Sequence, residues 1–164
     1  MPFVQKTVRG YQQIRNEQLD LSPNGRPDLK EILDFGRVNR SSTKGGRFKR
    51  HYLGENKWPE GEKDLENVMD EYAENSAIVA KKVLQLLAEG LGAEGAFDEV
   101  FDEDALQVQR LTRYPASNSI EDRKEGEIGS GTHSDYGVVT VLYADGPGLQ
   151  VLKPDKDSKL VNII

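Results

Sequence analysis

The residues of this sequence best suited to chemistry are His133 and Asp135, at the start of an apolar run that ends near residue 142. The stretch 138–141 is rich in β-branched residues and predicts a strand. Since a strand turns alternate side chains to one face, His133 and Asp135 would point the same way with their tips close together. An imidazole beside a carboxylate supplies two of the three ligands of the facial triad that holds non-haem Fe(II).

A third ligand for such a triad is not evident in the sequence. The chain has two histidines, and the other, His51, follows the basic stretch 44–50 and is distant from His133 in sequence. No histidine follows His133 in the 164 residues. A lone His-x-Asp is more often the exposed start of an ordinary strand than a metal site. On these residues alone, both interpretations stay open.

Length and charge narrow the class of protein. A chain of 164 residues predicts a single domain, 1–164, that is large enough to bury a core. The formal charge of −6 argues against a nucleic-acid-binding protein, whose footprint would be basic. The basic stretch 44–50 is interpreted as a solvated loop, because it lacks the Lys-Ser/Thr ending of a P-loop.

The cellular location is predicted from what the chain does not contain. It has no cysteine, so a disulfide framework is excluded and a reducing compartment is favoured. It has no apolar run of the length that a secretory signal or a membrane span requires. We therefore expect a cytoplasmic protein without a membrane partner.

Apolar spacing predicts one long helix over about residues 63–91, ended by Gly90 and Gly92. Its apolar stripe is expected to be core that packs against a sheet. The stripe consists of Leu65, Val68, Met69, Tyr72, Val79, Val83, Leu86, Leu87 and Leu91.

The other elements are predicted to be short. We expect irregular structure over residues 1–26 and a helical turn over 27–33, with Gly36 ending it. A strand is expected over 105–111. The 138–142 strand should form a hairpin with 149–152. The chain would thus have a helical part, about 1–100, and strands over about 105–164.

Six short motifs occur in an order and at separations that are familiar from one family. The chain resembles the iron(II)- and 2-oxoglutarate-dependent dioxygenases of the isopenicillin N synthase-like family, over roughly residues 10–152. The motifs are Pro27-Asp28-Leu29-Lys30-Glu31 with Phe35-Gly36, Asn56-Lys57-Trp58-Pro59, the long helix ending in Leu91-Gly92, Arg110-Leu111-Thr112-Arg113-Tyr114-Pro115, His133-Ser134-Asp135-Tyr136-Gly137, and Gly148-Leu149-Gln150-Val151.

The resemblance implies an α+β fold, a partial double-stranded β-helix (jelly roll) with a long scaffold helix packed on it. It implies that His133 and Asp135 are the first two Fe(II) ligands. Tyr114 matches a tyrosine that contacts 2-oxoglutarate in many members, and Thr112 stands where relatives often have an Asn. A buried ring with a satisfied hydroxyl is the other interpretation of Tyr114. The implied reaction is oxidation of a small organic molecule by O2 with 2-oxoglutarate as cosubstrate.

The sequence also departs from the family pattern. Only nine residues precede Gly10, and the distal His and the Arg-x-Ser of the family are not found after residue 152. We therefore expect an incomplete domain, truncated at both ends, that is inactive alone. The alternatives are a non-catalytic binding or regulatory module and one half of a split enzyme. Self-association through open strand edges is expected to cover those edges. The sequence does not predict the substrate, the reaction outcome or the oligomeric state.

Overall fold

A computed structural model describes residues 9–36, 55–101, 106–153 and 160–163. Over these residues helix and sheet are mixed, which confirms the predicted α+β class. The basic stretch 44–50 and His51 lie outside the described residues. The elements are β1 (Gly10–Gln12), β2 (Glu31–Gly36), α1 (Lys63–Gly90), β3 (Val108–Arg113), β4 (Gln150–Leu152) and β5 (Leu160–Asn162), with 3-10 turns at Asp98–Phe101 and Ser117–Ser119.

Strand β2 is the centre of a three-stranded antiparallel sheet in the order β1-β2-β3. The prediction of a helical turn over residues 27–33 is therefore wrong. Residues such as Leu, Lys and Glu favour a helix locally, but hydrogen bonding to a strand on each side overrides that weak preference. Strands β1 and β2 also lie in the part predicted to be helical, whereas β3 confirms the predicted strand, with its bounds two to three residues later than expected.

At the end of β2, beyond its pairing with β1, the last residue is bonded by a side chain as well as paired with β3. The Gly36 N–H donates to Asn56 Oδ1 at 3.0 Å, and Asn56 Nδ2 donates to the Gly36 carbonyl at 2.9 Å. A Cβ at Gly36 would lie 2.2 Å from the Gln107 carbonyl oxygen, so only glycine fits there. The Trp58 ring packs on Phe35 with ring centroids 5.2 Å apart. Two of the family-like motifs thus meet at this point.

Helix α1 has the predicted bounds, but a different face of it is covered. Within the predicted stripe Met69 is buried and Leu65 is half-buried, while Val68, Tyr72, Val79, Val83, Leu86, Leu87 and Leu91 are exposed. The covered face shares Leu65 and Met69 with the predicted stripe but is otherwise rotated away from it around the helix axis. It consists of Leu65, Met69, Ala73, Ala77, Ala80, Leu84 and Ala88. The prediction that the larger apolar residues of the stripe form core is therefore wrong.

No strand forms over residues 138–142, and the predicted hairpin of this stretch with 149–152 is wrong. The backbone of 149–152 is instead bonded to β5: Val151 pairs with Val161, and the Ile163 N–H donates to the Leu149 carbonyl at 2.9 Å. A strand needs a neighbour to satisfy its backbone groups. In the described part of the chain, residues 138–142 have no such neighbour and belong to no strand.

No helix in the described part of the chain combines the length and the apolar character that crossing a membrane requires.

Candidate metal centre

The segment that leads into His133 is held by residues that precede β2. The Leu29 N–H donates to the Ile128 carbonyl at 3.0 Å, and the Gly131 N–H donates to Asp28 Oδ1 at 2.9 Å. Asp28, Leu29 and Lys30 are each at most 5% exposed. We call residues 28–30 together with 128–131 the anchor. It connects segments that are about 100 residues apart in sequence.

The charges of the anchor are paired within the protein. Lys30 Nζ lies 2.9 Å from Asp28 Oδ2 and 2.7 Å from Glu17 Oε2, and it donates to Ser130 Oγ at 3.1 Å. Burial alone would raise the pKa of Glu17, but hydrogen bonding from Lys30 and the charge of Arg110 lower it below its ordinary value. An unpaired buried charge costs several kcal/mol, so these contacts are what makes the burial tolerable.

Two further ion pairs support this region. Arg15 donates through Nε and Nη2 to the two Glu127 oxygens at 2.9 and 3.0 Å. The hydrogen bond from Arg15, together with one from the Lys124 N–H, lowers the pKa of Glu127 to about 2. Arg110 of β3 makes a similar double contact with Asp34 of β2 at 2.7 and 2.8 Å.

Beyond the anchor, His133 and Asp135 do converge, as predicted, although no strand carries them. The carbonyl of Gly131 can only accept a hydrogen bond, so His133 Nδ1, 2.8 Å away, donates to it. The other ring nitrogen, Nε2, lies 3.3 Å from Asp135 Oδ1. The Thr140 hydroxyl donates to the second carboxylate oxygen, Oδ2, at 2.6 Å.

This arrangement leaves one acceptor atom on each residue facing the other. When Nδ1 carries the proton and donates it in a hydrogen bond to the Gly131 carbonyl, Nε2 of a neutral His133 has a lone pair. That lone pair faces the carboxylate oxygen of Asp135. Two lone pairs at 3.3 Å repel unless a cation lies between or beside them. A proton on Nε2, which gives a plain ion pair, and a metal ion both satisfy this geometry. The side chains are 36% and 53% exposed, so the site is open to solvent.

The two residues matched to cosubstrate binding lie in and just after β3. Thr112 is exposed, opposite Ile32, and Tyr114 is 57% exposed, which rules out a buried ring. The Tyr114 ring lies over Gly129 of the anchor, where a Cβ would come within 2.9 Å of Cδ1. In the described part of the chain, no hydrogen bond or ion pair joins Thr112 or Tyr114 to His133 or Asp135.

Among the described residues, no group of three or more His, Cys, Asp and Glu side chains is placed to hold a metal ion. The sequence predictions also missed Asp28, Lys30 and Thr140. A signal for the first two exists: in an extended segment Asp28 and Lys30 share a face with Ile32, which is buried. Charges that share a face with core residues must be paired.

Curated proteins of known activity match most of the chain. It is 30% identical over 84% of its length to a homoarginine-6-hydroxylase of Arabidopsis thaliana and 31% over 82% to validamycin A dioxygenase of Streptomyces hygroscopicus subsp. limoneus. It is 34% identical over 88% to a 2-oxoglutarate-Fe(II) type oxidoreductase of Aspergillus fumigatus. The chain covers 40%, 36% and 43% of these relatives, or about two fifths of their length.

No protein-family model and no solved structure matches the chain. Two of the relatives, at 34% and 32% identity over 88% of this chain, are named 2-oxoglutarate-Fe(II) type oxidoreductases. Over the part of them that it matches, the chain is similar to 2-oxoglutarate- and Fe(II)-dependent oxidoreductases, and these similarities support that family for it.

Proposed function

We propose that this chain is part of an Fe(II)- and 2-oxoglutarate-dependent oxygenase domain of jelly-roll type that oxidises a small organic molecule with O2. Within it, His133 and Asp135 bind the iron. The observation that carries this proposal is the convergence of His133 Nε2 and Asp135 Oδ1 at 3.3 Å, with the other polar atom of each side chain already hydrogen-bonded. The names of the similar proteins indicate the metal and the cosubstrate.

The geometry of the pair fits a transition metal. Two ligands that bind one ion at about 2.1 Å and at right angles are roughly 3 Å apart. The measured 3.3 Å is close to that separation. One imidazole and one carboxylate are also the ligand types that non-haem Fe(II) takes in its facial triad. The donor set on the described residues therefore fits two of the three protein positions.

Each residue of the site has a distinct part in the proposed reaction. Bound Fe(II) supplies the coordination positions and the electrons through which 2-oxoglutarate and O2 react. The Gly131 carbonyl fixes the ring of His133, and the Thr140 hydroxyl fixes the carboxylate of Asp135, so that one lone pair of each faces the metal. The exposed Tyr114 hydroxyl is proposed to donate to the bound cosubstrate, with Thr112 beside it on β3.

The proposal is tested by the metal affinity of the full chain without oxygen. Fe(II), with Co(II) as an air-stable substitute, is titrated in competition with a coloured chelator, with and without 2-oxoglutarate. Replacing either ligand, in His133→Gln or Asp135→Asn, should weaken metal binding by at least about tenfold. Addition of 2-oxoglutarate should tighten Fe(II) binding to the wild type.

Two substitutions serve as matched controls, because they change the same residue types elsewhere. His51→Gln and Asp145→Asn should leave the metal affinity unchanged. Equal metal affinity of the wild type and His133→Gln would overturn the proposal. The pair would then be an ion pair held by a proton on Nε2.

A further inference from the structure

The sequence contains one Asn-Gly pair, Asn24-Gly25, and it lies in a turn shortly before the anchor. The Gly25 N–H donates to the Ser22 carbonyl at 2.9 Å, which closes a β-turn with Pro23 at its second position. The Ser22 N–H itself donates to Asp20 Oδ1 at 2.9 Å. The Asn24 side chain is exposed, so water reaches its amide.

An asparagine followed by a glycine can undergo a reaction that needs no other partner than water. The backbone nitrogen of Gly25 attacks Cγ of the Asn24 side chain, a cyclic succinimide forms, and ammonia leaves. Water then opens the ring at either carbonyl carbon, which gives aspartate or isoaspartate in place of asparagine. Overall one water is consumed and one ammonia is released, with no change of oxidation state. Glycine favours the attack because it has no Cβ beside the attacking nitrogen.

The turn holds the attacking nitrogen in an arrangement that opposes this reaction. For the nitrogen to reach Cγ, the peptide group between Asn24 and Gly25 must rotate, which breaks the hydrogen bond from the Gly25 N–H to Ser22. Gly25 also lies against the backbone of Asp20, since a Cβ at Gly25 would overlap the Asp20 carbonyl oxygen. The reaction therefore requires that the turn open first, and local opening of this kind occurs without unfolding of the whole protein.

Asp20 connects the turn to the anchor. Its carboxylate accepts the Ser22 N–H, and this hydrogen bond lowers the pKa of Asp20 below its ordinary value. Its backbone nitrogen lies so close to Gly131 that a Cβ at Gly131 would come within 2.6 Å of it. The loop that carries Asn24 is thus packed on the segment that leads into His133.

We propose that Asn24 is a site of spontaneous deamidation, and that opening of the turn over residues 22–25 sets the rate of the reaction. Each event replaces a neutral amide with a carboxylate in the loop that is packed on the anchor. The inference stands apart from the proposed iron chemistry, because the reaction involves only this loop and water.

The test compares deamidation of Asn24 in the folded full chain with that in the same chain unfolded in guanidinium chloride, both at mildly alkaline pH. Peptide mapping by chromatography and mass spectrometry measures the conversion to aspartate and isoaspartate. The unfolded chain should react at least about fivefold faster, since the folded chain must first break a hydrogen bond. A synthetic peptide of residues 20–27, measured with and without guanidinium chloride, corrects for the effect of the solvent.

Two variants test the contribution of the turn. Asp20→Ala removes the carboxylate that accepts the Ser22 N–H but keeps the backbone carbonyl beside Gly25, so the folded variant should react about fivefold faster than the wild type. Asp145→Ala is the matched control, because it removes a carboxylate from another turn-like, glycine-containing stretch of the sequence. It should leave the rate at Asn24 unchanged. In guanidinium chloride all three chains should react at the same rate.

Equal rates in the folded and the unfolded wild type, or no conversion at Asn24 in either, would overturn the inference. A folded Asp20→Ala variant that reacts no faster than Asp145→Ala would overturn it as well. If Asp20→Ala does not fold, the comparison of the folded and the unfolded wild type decides the question.

Discussion

The burial of side chains in the anchor and in the segment that follows it, residues 133–143, is the opposite of what their composition predicts. In the anchor the charged residues Asp28 and Lys30 are 1% and 5% exposed. In the following segment, large apolar residues such as Tyr136 and Tyr143 are 108% and 82% exposed. In these two regions burial therefore follows hydrogen-bond pairing more closely than hydropathy. The paired charges of the anchor are covered, whereas the apolar stretch 138–142, which belongs to no strand, is largely exposed.

The difference also suits the proposed chemistry. A metal-binding side chain must be held in one orientation and must stay accessible to the ion. Here Gly131 of the anchor contacts the ring from one side, and the ring itself is accessible to solvent. Gly131 is bonded within the anchor, and its carbonyl accepts from His133 Nδ1, while the side chain of His133 is 36% exposed.

The largest expected contrast in stability is between Phe35 and Tyr136. Phe35 is 2% exposed and packs on Trp58, so Phe35→Ala should lower the free energy of unfolding by about 3–5 kcal/mol through loss of burial and a cavity. Tyr136→Ala in the exposed segment should change it by less than about 0.5 kcal/mol. Urea unfolding of the full chain measures both. Similar losses for the two variants would show that the segment is packed.

The next contrast compares two cross-strand ion pairs of the same sheet. Asp34 is opposite Arg110 and is 3% exposed, so Asp34→Ala should cost about 1–2 kcal/mol, an amount reduced by the exposure of the arginine. Glu31 is opposite Arg113, whose side chain is 70% exposed, and Glu31→Ala should cost at most about 0.5 kcal/mol. Urea unfolding again gives the values. A larger loss of stability in Glu31→Ala than in Asp34→Ala would contradict the expectation that the more buried ion pair contributes more.

A substitution at Thr140 tests the exposed segment, residues 133–143, separately from the anchor. Thr140→Val removes the hydroxyl that donates to Asp135 and keeps the shape of the side chain. Metal affinity should fall about tenfold, the usual effect of losing a hydrogen bond to a ligand. Stability should change little, because the segment is exposed. Thr132→Val is the matched control in chelator competition, and an equal effect of the two variants would remove Thr140 from the site.

A pH dependence is expected at Glu127. Arg15 lowers the pKa of this carboxyl from 4.5 to about 2, so the charged form stabilises the fold above about pH 4.5. That contribution should disappear as the pH falls towards 2. Unfolding midpoints of the wild type and Glu127→Gln should therefore differ at pH 6 and approach each other near pH 2. The exposed Glu125→Gln is the control and should follow the wild type throughout.

The features that the sequence predicts well are those set by local pattern. The bounds of α1 follow from the spacing of its apolar residues. His133 and Asp135 converge as predicted, but the strand on which that prediction depended does not form. β2 could not be predicted, since its helix-favouring residues become a strand only through β1 and β3. The contacts of Asp28 could not be predicted either, because its partner Gly131 is 103 residues away.

The most direct test is to locate a bound paramagnetic ion on the isotope-labelled full chain. Co(II) or Mn(II) is added, and the loss of backbone amide signals is mapped by NMR. We expect the strongest loss at His133–Asp135 and around Thr140, and we expect Asp135→Asn to abolish this pattern. Strongest broadening at the acidic start of α1, where Asp64 and Glu66 lie, with signals at 133–135 unaffected, would contradict a metal centre at His133.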